Sequence, residues 1–143
     1  MIHYKTDAQI ELIRESCLLV SRTLAHVASI LKPGTTGLHI DKEAEAFIRD
    51  HKAVPGFKGY NGFPGTLCIS PNSGVVHGIP TEREFLEDDI VSIDCGSYLN
   101  EYFGDSAFTF AMPGVSDEVM ELLVTTNESL YKGIEAARVG GRI

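Results

Sequence analysis

Only three cysteines, Cys17, Cys68 and Cys95, occur in this 143-residue chain. They are odd in number, far apart and without a C-x-x-C pair, which excludes a disulfide framework and a zinc knuckle. Free, buried thiols in a reducing compartment, the cytoplasm, are expected instead. Long apolar runs are missing as well. The longest, Cys17-Leu18-Leu19-Val20, cannot cross a bilayer. Lys5, Asp7, Glu11 and Arg14 interrupt the stretch where a signal peptide would need its apolar segment, so export by that route is not expected. Basic residues are few. Twelve Lys and Arg against 20 Asp and Glu leave a net charge of −8. That balance lacks the electrostatic footprint of a nucleic-acid binder, and no polybasic stretch faces an anionic membrane. A nucleophile elbow, a P-loop, an H-E-x-x-H helix and a dinucleotide fingerprint are all absent. So are internal repeats, low-complexity tracts and linkers, and the chain reads as one domain.

What is present suffices for a core: 43% of the residues are apolar and 22% charged. Thr6-Asp7-Ala8-Gln9 has the form of a capping box. Behind it Ile10, Ile13, Cys17, Val20, Leu24, Val27 and Leu31 recur every three or four positions, which predicts a helix over about 7–31. Lys32-Pro33-Gly34 ends it. A second helix is expected over about 37–51, with Thr36 as its cap and Leu38, Ala44, Phe47 and Ile48 on its apolar side. Residues 54–66 are punctuated by glycine and proline and read as a loop. Phe57, Tyr60 and Phe63 recur within it, either tucked against the core or forming an apolar pocket wall.

Strand patterns follow. Thr66–Ser70 and Val75–His77 flank the turn residues Pro71-Asn72-Ser73-Gly74. Asp89–Tyr98 and Phe103–Met112 read as two longer strands joined by Leu99–Tyr102, hence an antiparallel hairpin. Pro113-Gly114 breaks the pattern, and Ser116 caps a last helix with Asp117 and Glu118 in its first turn. Val119, Leu122, Leu123, Leu130, Ile134 and Ala137 are its expected apolar side.

Asp94 and Asp105 are the informative pair. Each lies in a strand rich in large apolar residues. A hairpin folding near Leu99 and Asn100 sets them directly opposite each other on one face. Two buried carboxylates repel, so something must compensate: a shared proton, a basic partner, or one or two divalent cations. A one-residue register slip would instead turn one of them to solvent. His77 is the second candidate. It ends an expected strand beside Gly78, and its imidazole could donate to a carbonyl, shuttle a proton or bind metal, or simply be a satisfied polar group. The other four histidines have no second ligand at a zinc-site spacing.

Four segments in one order carry a resemblance: Gly59-Tyr60-Asn61-Gly62-Phe63-Pro64; Cys68-Ile69-Ser70 with Val75-Val76-His77-Gly78-Ile79-Pro80; Asp89-Ile90-Val91-Ser92-Ile93-Asp94; and Gly104-Asp105-Ser106-Ala107. Together they resemble the N-terminal half of type I methionine aminopeptidases, over essentially all of residues 1–143. The resemblance implies an α+β pita-bread fold, in which a curved antiparallel sheet is covered by helices. It implies that Asp94 and Asp105 are metal ligands for two divalent ions (Co, Mn, Fe, Zn or similar). His77 would contact substrate near the scissile bond and act catalytically. Phe57, Tyr60, Phe63 and Cys68 would line the pocket for the methionine side chain. The implied activity is removal of the initiator methionine from nascent polypeptides or N-terminal Met-peptides, with neither nucleic acid nor membrane as partner.

Departures accompany it. The family's Asn-Glu reads Asn72-Ser73, its His-Gly-Asp reads Phe103-Gly104-Asp105, and its Gly-Asp before the central strand reads Asp88-Asp89. The first and third are expected to be tolerated changes in surface turns. The second sets an apolar neighbour beside a ligand. The family's remaining ligands, one histidine and two glutamates, are expected in a second half absent here, so the chain by itself is expected to be inactive and to self-associate through apolar surface. A non-catalytic peptide- or protein-binding module of the same fold is the alternative, and a prolidase-like peptidase, which usually carries an extra N-terminal domain, a lesser one.

Overall fold

Thr6 starts the first helix as its sequence predicts. Its Oγ1 accepts from the Gln9 amide at 3.3 Å while the Gln9 side chain accepts from the Thr6 amide at 2.9 Å. The computed structural model describes residues 3–142. In chain order these form α1 (Asp7–Ile30), α2 (Gly37–Asp50), the two-residue strand β1 (Val54–Pro55), a single 3-10 turn at Tyr60–Gly62, β2 (Leu67–Pro71), β3 (Ile90–Leu99), β4 (Tyr102–Ala111) and α3 (Asp117–Ala136). Thr36 and Ser116 cap α2 and α3 as expected, accepting from the amides of His39 and Val119. Two differences stand out. Val54–Pro55 is a strand rather than loop, paired with Tyr98 and Ser97. Val75–His77 is not a strand, and Val75 and Val76 are 79% and 67% exposed.

All pairings are antiparallel, with β3 at the centre. β4 runs along the whole of one edge of β3. β2 and β1 share the other, against Val91–Cys95 and Ser97–Tyr98 respectively. Alternation then gives the sheet two unlike faces. Val91, Ile93, Cys95 and Ser97 are fully buried beneath α1 and α2, where they meet Val20, Val27, Ile40 and Ile48. Ser92, Asp94, Gly96 and Tyr98 point the other way.

The approach of α1 to the sheet depends on small residues. Ser16 and Ser97 are both fully buried, and their hydroxyls lie 2.9 Å apart. Across from Ser97, Gly104 lies so close to α1 that a Cβ there would fall 2.5 Å from the Ser16 carbonyl carbon. This is why the buried side of α1 carries Ser16, Leu19 and Thr23, while Ile10 and Cys17, expected inside from the periodicity, are exposed. In α2 the expected Leu38 is likewise exposed, and Ile40 and Asp41 take the buried positions. The helix α3 forms as expected, but no residue in it is buried. Leu122, Leu130 and Ile134 are each close to 60% exposed.

Asp89 departs from its expected place in a surface turn. It is 1% exposed and receives four hydrogen bonds: two from the Arg83 guanidinium at 2.8 and 3.0 Å, one from Asn72 Nδ2 at 2.7 Å and one from the Leu86 amide at 2.9 Å. Asn72 closes the clasp by exchanging bonds with Ile90 through its amide and its Oδ1. The Arg83 bonds, more than the others, hold the Asp89 carboxyl at about 2, below its ordinary 3.8. A carboxyl lowered in the folded state adds stability above its unfolded value and loses it as pH falls toward the folded one.

Two tests follow from this packing. G104A should lower the free energy of unfolding by about 1–3 kcal/mol or more in urea titrations, since helix backbone cannot yield to the new methyl. D89N should cost on the order of 1–3 kcal/mol at neutral pH. It should also flatten the loss of stability that the parent shows as pH falls from 3.8 toward about 2.

Candidate metal centre

The hairpin turn decides the facing of the two aspartates. Asn100 and Glu101 form its two-residue tip, both at positive φ (52° and 67°), the backbone signature of the type I′ turn favoured in twisted hairpins. Leu99 therefore pairs with Tyr102, Asp94 with Ala107 and Asp105 with Gly96. The expectation that Asp94 and Asp105 sit directly opposite is corrected by two residues: they are diagonal neighbours. The shift is even, so both still project from the same face, away from the buried helices.

On that face the burial also differs from expectation. Asp105 is exposed and Asp94 partly so, and the cost of holding two charges there is correspondingly smaller. The Asp94 carboxyl is nonetheless raised well above its ordinary 3.8, first by desolvation, then by the charge and close approach of Asp105. The His77 charge partly opposes this, so His77 lies within electrostatic reach. No basic side chain ion-pairs with either aspartate among the described residues. Two converging oxygen donors without a cationic partner are the donor chemistry that suits a hard divalent ion, and to that extent the residues fit one. They are an incomplete set: among the described residues no third His, Cys, Asp or Glu converges with them into a cage.

The remaining candidates gather around this pair to different degrees. Cys68 pairs across β2–β3 with Asp94 and shares its face, where burial and the nearby carboxylates push its thiol up to about 11. Phe57 reaches the same face. A Cβ on Gly96 would lie 2.5 Å from its ring, so the ring fills the space that Gly96 leaves open, across from Asp105. Phe63 is half-buried and Tyr60 is 71% exposed, at a turn where Gly59 and Gly62 both have positive φ. His77 is exposed, with φ at 59°, in the left-handed region that non-glycine residues seldom adopt. Its neighbour Gly78 is bonded to β2 through Ile69 and Ser70.

Sequence reasoning missed Asp41. This α2 carboxylate is 7% exposed and accepts from the Thr66 and Leu67 amides, both at 2.8 Å, where the chain enters β2. Its position one residue beyond Ile40, on a helix read as amphipathic, offered no signal.

Residues 11–143 match the model of metallopeptidase family M24. The chain belongs to that family. Over 144 aligned residues, covering all of this chain, it is 45% identical to a methionine aminopeptidase of Clostridium acetobutylicum, and over 143 it is 44% identical to methionine aminopeptidase 1 of Bacillus subtilis. It spans 58% of the length of each of those two relatives. The crystal structure of methionine aminopeptidase from Rickettsia prowazekii superposes with a TM-score of 0.92 at 30% identity, over 94% of this chain and 54% of that one. The M24 fold of this chain is thus the pita-bread fold, here with its antiparallel sheet and helices as the resemblance implied. No helix among the described residues is long and apolar enough to cross a membrane.

Proposed function

We propose that this M24 chain carries part of the active site of a methionine aminopeptidase, acting on N-terminal methionine of nascent chains or peptides in the cytoplasm. The observation that carries the reading is the convergence of Asp94 and Asp105 on one open sheet face, in a chain 45% identical to such an enzyme. Three free thiols suit a reducing cytoplasm. In this reading the two aspartates hold divalent ions, which when bound supply Lewis acidity at the scissile carbonyl and activated water. His77 donates a hydrogen bond to the substrate backbone and holds it over the carboxylates. Phe57, Tyr60, Phe63 and Cys68 accept the methionine side chain, whose thioether gains about 0.3–1.5 kcal/mol from each aromatic edge it meets.

The chain alone is expected to be inactive, because two carboxylates do not complete the coordination of ions that take about six oxygen ligands each. Calorimetric titration with Mn²⁺ or Co²⁺ should show weak binding that D94N or D105N reduces at least tenfold, and the pure chain should release no methionine from Met-Gly-Met. Cation binding untouched by both substitutions would favour a non-catalytic peptide-binding module, and measurable methionine release would refute the inactivity. We also propose that the uncovered apolar residues of α3 drive self-association. Light scattering should then give a mass above 15.6 kDa, and a clean monomer at high concentration would contradict this.

A further inference from the structure

The connection from β2 to β3, residues 72–89, contains neither helix nor strand, yet it carries His77. Its two ends are closed on each other by the Asn72–Asp89–Arg83 clasp. Between those ends the segment docks on the sheet at Gly78. The Gly78 carbonyl accepts from the Ile69 amide at 2.9 Å, and its own amide donates to Ser70 Oγ at 3.0 Å. The fit is close, since a Cβ on Gly78 would fall 2.1 Å from the Ile69 carbonyl oxygen.

Ser70 sits where that docking can be transmitted. It is 2% exposed and pairs across the strands with Ser92, on the face that bears Asp94. Ser92 in turn bonds Thr109 at 2.8 Å, so a row of hydroxyls crosses three strands beside the carboxylates. On the other side of Gly78, His77 is held at a φ of 59°, in the left-handed region that non-glycine residues seldom adopt. Such a conformation persists only where neighbouring contacts enforce it. Val75 and Val76, the two residues before His77, are largely exposed.

We infer that Ser70 is a positioning residue for His77: through the Gly78 amide its hydroxyl fixes the strained His77 backbone, and with it the imidazole, beside the Asp94–Asp105 face. The inference rests on the proposed role of His77 in substrate binding, but its geometry can be tested apart from that role. The measurement is ¹⁵N relaxation on the folded 143-residue chain. In the parent, His77 and Gly78 should have order parameters of about 0.85. In S70A both should fall below about 0.6, while Val91 and Ile93 keep their values. S70T, which retains the hydroxyl, should restore rigidity. G78A should reproduce the loss with Ser70 intact, and it decides alone should S70A lose its folded spectrum. A folded S70A with His77 still rigid, a G78A that leaves His77 and Gly78 unchanged, or a loss of order spread equally over Val91 and Ile93 would each overturn the inference. The substrate role has a separate readout. H77A should weaken Met-Gly-Met binding, and if it does not, that role fails while the Ser70 result stands.

Discussion

The geometry of the candidate site depends on a two-residue reversal at Asn100–Glu101. With both residues at positive φ, the turn leaves no freedom in how β3 meets β4. One residue more or fewer in the register would send Asp94 and Asp105 to opposite faces. One of them would then lie under α1 and α2, among Ile93 and Val91, where an unpaired carboxylate is untenable. The packing of the other face reinforces the same choice. Val91, Ile93 and Cys95 on β3 can be buried only if Asp94 is not. Turn geometry and hydrophobic burial therefore agree on the register, and the carboxylate pair results from both.

A second constraint sets the distance between layers. Ser16, Ser97 and Gly104 let the backbone of α1 lie almost against the hairpin. Gly96 does the same on the open face for Phe57. Glycines in β3 and β4 thus act on opposite sides of the sheet: one admits a helix, the other an aromatic ring beside the carboxylates. Phe103, next to Gly104, lies on the open face, where its ring packs at a tilt of 45° against Tyr98 with centroids 4.7 Å apart.

Buried carboxylates away from the site hold the segments that the ladder does not. Asp41 satisfies two amides at the start of β2, and Asp89 ties together the ends of the long connection that follows. Both are charges taken out of water for the sake of backbone donors and, for Asp89, a guanidinium. They are placed so that β2 and the His77 segment keep fixed positions relative to β3.

Local signals in the sequence were enough for the helices and their caps, because capping boxes, periodicity and proline act within a few residues. They were enough also for the hairpin and for the parity that sets both aspartates on one face, since parity survives an error of two in the register. They could not supply the register itself, the rotation of the buried side of α1 onto Ser16 and Thr23, or the burial of Asp41 and Asp89. Those depend on partners far away in the chain: Gly104 for α1, the Thr66 and Leu67 amides for Asp41, Arg83 and Asn72 for Asp89. Composition suggests a strand at Val75–His77, yet the segment forms no ladder, and it meets β2 instead through Gly78, which bonds Ile69 and Ser70.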